Sequence, residues 1–191
     1  MKREAPLLSI RVCGCQVIGN PACVLDERTG RLHVFFCRNN TQVLLSYSDT
    51  NGDSWAPARD ITSMVKAPDW GWYATTFSGI QLKHQDSHTK NGRLVVCCDH
   101  QDHFDFKNNG NEEYSHSHLL WSDDGGDQWN IGAVADVLTN ECAVAELANG
   151  TIVVNSRDYL GQRARKTHRA ISWSVRVHAA SSMAKISQCQ I

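Results

Sequence analysis

The chain has 191 residues, enough for one ordinary domain with a sizeable core or for part of a larger one, with 19 basic residues against 20 acidic. That balance excludes attachment to nucleic acid or to a membrane surface through bulk charge, so any basic site must be local. No apolar run approaches the roughly 20 residues of a membrane-spanning helix, and the opening MKREAPLLSIRVCGC has too short an apolar stretch for a signal peptide.

In chain order, apolar runs of strand length recur: LHVFFC (32–37), QVLLSYS (42–48), GIQLK (79–83), RLVVCC (93–98), HLLWS (118–122), CAVAEL (142–147), TIVVNS (151–156) and RAISWS (169–174). None has the length or period of a helix. Hairpin chemistry separates several of them. In AELANGTIVV the Asn149-Gly150 pair predicts a two-residue turn with positive φ at both positions. ERTGRLHVFF and HTKNGRLVVC use the same device, and Gly30, Gly92 and Gly150 each lead straight into a strand at intervals of 62 and 58 residues. The chain therefore repeats one supersecondary unit.

A second pattern rides on the first. LLWSDDGGDQW ends a strand in a turn of Asp and Gly and then sets Trp129 at a fixed distance. SYSDTNGDSW does the same, so that Ser48, Gly52 and Trp55 stand as Ser122, Gly126 and Trp129 do. Burying a Trp requires a prepared site, which a generic turn lacks. Thr50 replaces Asp124 in the first copy, so its turn is expected to be held differently. A third segment, SWSVRVHAASSM, starts the pattern and loses it. Short antiparallel strands repeating at roughly 40 to 60 residues point to propeller blades, with a β-sandwich as the alternative.

The eight cysteines (Cys13, Cys15, Cys23, Cys37, Cys97, Cys98, Cys142 and Cys189) follow no disulfide spacing and read as small apolar residues. Asn39 and Asn149 begin N-x-Thr sequons, which permit glycosylation if the chain is secreted. Cys97, Cys98, His100 and His103 crowd together, as do His116 and His118. Neighbouring strand residues face opposite sides and cannot all converge on one ion, so no metal or other cofactor is expected.

The boxes SYSDTNGDSW and SDDGGDQW resemble the Asp-box repeats of sialidases. The segments GNPACVLDERTGRLHVFFCRNN, DWGWYATTFSGIQL, NGRLVVCCDH and NECAVAELANGTIVVNSRDY are similar to that family too, over about Gly19 to Trp173. The resemblance implies an all-β, six-bladed sialidase-type β-propeller, of which this chain supplies three to four blades. It also implies hydrolysis of terminal sialic acid from glycoproteins, gangliosides or oligosaccharides; charge balance and the short apolar runs give the further expectation of no nucleic-acid partner and no membrane span.

Sialic acid carries a carboxylate on its anomeric carbon, and a guanidinium fork grips such a group through paired charge-assisted hydrogen bonds. By resemblance Arg157 is one member of the family's arginine triad; read on its own, it could equally pair with an acid at a strand end. Sialidases use a Tyr nucleophile, which needs a base, and the resemblance assigns that role to Glu141. Glu146 is the rival. It lies five residues further on, so on one strand the two face opposite ways. The resemblance also puts Asn20 near the sugar and Asp99 with His100 near the glycerol tail, although an Asn before Pro often starts a turn and an Asp-His pair at a strand end is often merely solvated. Trp70, Trp72 and Tyr73 read as packing residues.

The family's Arg-Ile-Pro arginine, its acid/base Asp, its third arginine and its Tyr nucleophile have no match here. The expectation is a central portion of a sialidase: residues 1–18 outside the resemblance, 19–174 a partial propeller, 175–191 a divergent tail, with little or no hydrolysis by the chain alone. Relatives occur in lysosomal, cytoplasmic, membrane-associated and secreted forms, and the residues do not choose among them.

Overall fold

A computed structural model describes residues 16–76, 78–85, 91–102, 114–158, 173–177 and 187–189. Cys13, Cys15, His103 and most of the divergent tail lie outside them, as does all of RAISWS before Trp173. Three antiparallel sheets follow one another along the chain. The first is β1 (Ile18–Asp26), β2 (Arg31–Arg38), β3 (Gln42–Ser48) and β4 (Arg59–Asp60), with one helical turn, α1 (Thr62–Val65), after it. The second runs β5 (Trp70–Thr75), β7 (Leu94–Asp102), β8 (Ser115–Ser122), β9 (Asn130–Val134), with the short β6 (Ile80–Gln81) also paired to β7. The third is β10 (Thr139–Glu146), β11 (Ile152–Asp158), β12 (Trp173–Val177) and β13 (Ser187–Cys189). The first and third sheets pair their strands in chain order, and so does the second apart from the two-residue β6, in the manner of propeller blades.

Two apolar cores lie between the sheets. Val24, Phe35, Leu45, Tyr73, Val96 and Trp129 fill the space between the first and second; Leu82, Val95, Cys97, Leu119, Cys142 and Val154 fill that between the second and third. The middle blade is buried on both faces, which explains why RLVVCC is apolar without alternation: Leu94, Val96 and Cys98 serve one core, Val95 and Cys97 the other. Cys23, Cys37, Cys97, Cys98 and Cys142 are free thiols; the last four pack as small buried residues, while Cys23 is exposed. Burial pushes the Cys37 thiol up to about 11, so it stays protonated.

The Asn149-Gly150 turn differs from expectation. Gly150 has φ +76° but Asn149 is not in the positive-φ region. The Gly150 amide donates to Leu147 O and the Leu147 amide to Thr151 O, so the loop is one residue longer than a two-residue hairpin and needs left-handed backbone only at its last position. A Cβ on Gly150 would lie 2.3 Å from His84 O, whereas one on Gly30, at the same φ, meets nothing within 4 Å. Gly30→Ala is therefore expected to cost only the backbone term, about 1–2 kcal/mol, and Gly150→Ala clearly more, read from urea denaturation midpoints.

The first two repeats share a latch. Arg31 pairs with Asp49 (2.7 Å) and lies 4.0 Å over the Tyr47 ring; Arg93 pairs with Asp123 (2.6 Å) and lies 4.1 Å over Trp121. Each arginine follows the hairpin glycine directly, and each aromatic and acid flank the box serine, so the latch ties one end of the middle hairpin to the start of the box.

Candidate functional site

The boxes fasten the blades. In the second, Ser122 Oγ accepts from the Gly126 amide (2.9 Å) and donates to Asp124 Oδ1 (2.8 Å), while Asp124 accepts from the amides of Asp127 and Gln128. Gly126 is left-handed, at φ +93°. In the first, Ser48 Oγ accepts from Gly52 N (2.9 Å), and Thr50 Oγ1 accepts from Ser54 N (2.8 Å), doing with one hydroxyl what Asp124 does with a carboxylate. Trp129 is buried edge-on against Phe35, with centroids 4.8 Å apart, and donates from Nε1 to Gly126 O. Trp55 is only half-buried. Arg59 of the first blade donates to the carbonyls of Gly126 and Asp127, so the second box is also the joint between the first two blades.

The first strand of every blade carries an irregularity near its start. Register shifts fall between Gly19 and Ala22 in β1, between Trp70 and Trp72 in β5, and between Thr139 and Cys142 in β10. Bulges re-aim side chains. Two of these three hold expected site residues: Asn20, with φ +54°, and Glu141. Glu141 lies in the β10 irregularity, one residue before the Cys142↔Ser156 pair, and Arg157 follows Ser156 on β11, so the two side chains meet across the strands: Arg157 Nη1 donates to Glu141 Oε2 at 3.2 Å. Both side chains are about half exposed (50% and 49%), where an ion pair contributes little to stability. Glu146, on the opposite face as its spacing requires, accepts from the amides of Lys83 and His84 and from Gln85 Nε2; its role is to tie the second and third blades together.

Asp99 and His100 part company. Asp99 is buried, its Oδ1 has no hydrogen-bond partner among the described residues, and burial together with the charge of Glu141 raises its pKa to about 8 against the opposing pull of Arg157. It shares its field with the Glu141–Arg157 pair. His100 faces the other way, stacked on Trp70 (centroids 3.5 Å apart) with Nδ1 3.0 Å from His118 Nδ1; His118 Nε2 in turn lies 3.1 Å from the Tyr73 hydroxyl. Burial lowers the pKa of both imidazoles, that of His118 to about 3, so both are neutral at ordinary pH. Trp70 and Tyr73 are buried packing residues. Among the described residues no three His, Cys, Asp or Glu side chains are arranged to hold a metal ion, and no helix is long and apolar enough to cross a membrane.

Residues 15–177 match the BNR repeat-like domain family. The sialidase of Bacteroides fragilis is 26% identical over 75% of this chain, which spans 28% of that relative's length. Among solved structures, the Hadza microbial sialidase Hz136 superposes with a TM-score of 0.65 at 24% identity, covering 83% of this chain and 31% of that one. The sialidase of Trypanosoma rangeli, in complex with sialic acid, gives 0.64 at 13% identity, over 93% of this chain and 28% of its own. The fold is that of part of a sialidase propeller.

Proposed function

The chain belongs to the BNR repeat-like domain family, and from that premise we propose that it carries part of an exo-α-sialidase site acting on terminal sialic acid of glycoproteins, gangliosides or oligosaccharides. Glu141 is the base that takes the proton of a tyrosine phenol, and Arg157 grips the sugar carboxylate. The observation that carries this reading is the 3.2 Å contact between those two groups on adjacent strands at a half-exposed face. An incoming carboxylate can replace Glu141 as the partner of Arg157 and leave the Glu141 oxygens beside the anomeric carbon. Asn20 and Asp99 border the sugar, and His100, shut behind Trp70, supports the end of β7. The tyrosine, the general acid and two further arginines are not assigned to residues of this chain, so binding with little turnover is the expected behaviour.

Titration with sialic acid, followed by NMR, tests this. Arg157→Ala is expected to weaken binding by about tenfold or more, the loss of a hydrogen bond to a charged group. In parallel, release from a fluorogenic sialoside is expected to be negligible. Turnover that disappears in Glu141→Ala would show a complete enzyme instead. No binding by the parent chain would leave a structural Asp-box propeller, the reading that does without a sugar site.

A further inference from the structure

Two consecutive threonines join all three blades at the strands that carry Asn20 and Glu141. Thr75 ends β5, and Thr76 follows it with its amide bonded to Cys97 O. Being neighbours in extended chain, they face opposite ways. Thr75 Oγ1 donates to the carbonyl of Asn20 in the first blade. Thr76 Oγ1 donates to the carbonyl of Cys142 in the third, at 3.0 Å, and receives the Cys142 amide at 3.4 Å. Both threonines are buried.

These bonds fall at the irregularities, where the regular ladder within a blade is interrupted. In β10 the interruption lies between Thr139 and Cys142. That stretch is held from the second blade: Ser117 Oγ donates to Asn140 O, the Ser117 amide donates to Thr139 Oγ1 (2.9 Å), and Thr76 engages Cys142 on the other side of Glu141. A buried carbonyl that loses its donor pays the full desolvation penalty, so the hydroxyls fix the backbone strongly. β1 is held in the same way at Asn20, whose left-handed backbone is of the kind Asn adopts more readily than other non-glycine residues.

We propose that Thr75 and Thr76 are a two-sided clamp: positioning residues that set Asn20 on one side and Glu141 on the other at a fixed separation across the middle blade. Their relevance to sugar binding rests on the reading of Glu141 and Asn20 given above. The positioning itself does not.

The test uses the full chain with Thr75→Val and Thr76→Val, which keep the shape and remove the hydroxyl, and Thr76→Ser, which keeps the hydroxyl. Ser46→Ala is the control, because Ser46 Oγ donates to Ala56 O (2.7 Å) inside the first blade and its loss is structural only. Thr76→Val is expected to shift the Glu141 amide resonance, and Thr75→Val those of Asn20; Thr76→Ser is expected to return Glu141 to its parent position. Sialic acid affinity is expected to fall about threefold to tenfold in each valine variant and to hold in Ser46→Ala, even where melting temperatures drop equally. A Glu141 amide that stays in place in folded Thr76→Val overturns the clamp. Shifted amides with unchanged affinity overturn its service to the site. If the parent chain binds no sialic acid, the sugar reading fails, while the amide shifts still decide the clamp.

Discussion

Asp99→Asn is expected to make the protein more stable than the parent at pH 8 and no different at pH 4. In the unfolded chain the carboxyl loses its proton near 3.8, whereas in the fold burial, and secondarily the Glu141 charge, holds the proton on to about pH 8. Between those values the native state binds one more proton than the unfolded state. The parent therefore loses stability as pH rises from about 4 to about 8 and levels off above that, a total set by about four pH units at 1.36 kcal/mol each, or a ceiling of about 5 kcal/mol. The substituted carboxamide is of similar size and has nothing to titrate. Urea unfolding of both proteins at pH 4, 6 and 8 isolates the difference, since the other titrating groups are common to both. Parallel stability curves would mean that Asp99 is ionised in the fold.

Trp129→Ala carries the second large effect, a loss of about 3–5 kcal/mol in unfolding free energy, the range for emptying a buried aromatic site. The ring fills the core between the first two blades against Phe35 and His33. A Cβ on Gly126 would lie 2.2 Å from the His33 ring, so this part of the box cannot shift inward to fill the gap. Trp129→Phe keeps the edge-on contact but gives up the bond to Gly126 O, and is expected to cost about 1 kcal/mol for that bond. Trp55→Ala, at the half-buried equivalent, is expected to cost much less than Trp129→Ala. Equal losses at the two tryptophans would show that the second box is not the joint between blades.

The repeated turn chemistry and the boxes were legible because they are local: the box serine binds the amide of a left-handed glycine four residues on in both copies, with a tryptophan three residues after the glycine. The eight runs read as strands lack the two strands that begin the first and second blades. β1 is broken by Gly19 and Pro21 at its irregularity, and β5 reads as an aromatic cluster, WGWYAT, because it feeds the core between the first two blades. Opposite orientations for Glu141 and Glu146 followed from their odd spacing on one strand. The same parity rule, applied to Asp99 and His100, separates them; a shared motif had joined them. The Glu141–Arg157 pairing depends on register across a hairpin, and no local pattern encodes that. Residues 75 and 76 gave no signal at all, since a threonine pair in a strand is commonplace and its partners lie 55 and 66 residues away in opposite directions.

The arginine latch belongs to the first two hairpins. At the third hairpin Thr151 stands directly after the glycine, where Arg31 and Arg93 stand in the other two. A hydroxyl cannot grip an acid and lie over a ring as a guanidinium does, so this hairpin is steadied instead from the neighbouring blade, where Glu146 accepts from the Lys83 and His84 amides and from Gln85 Nε2.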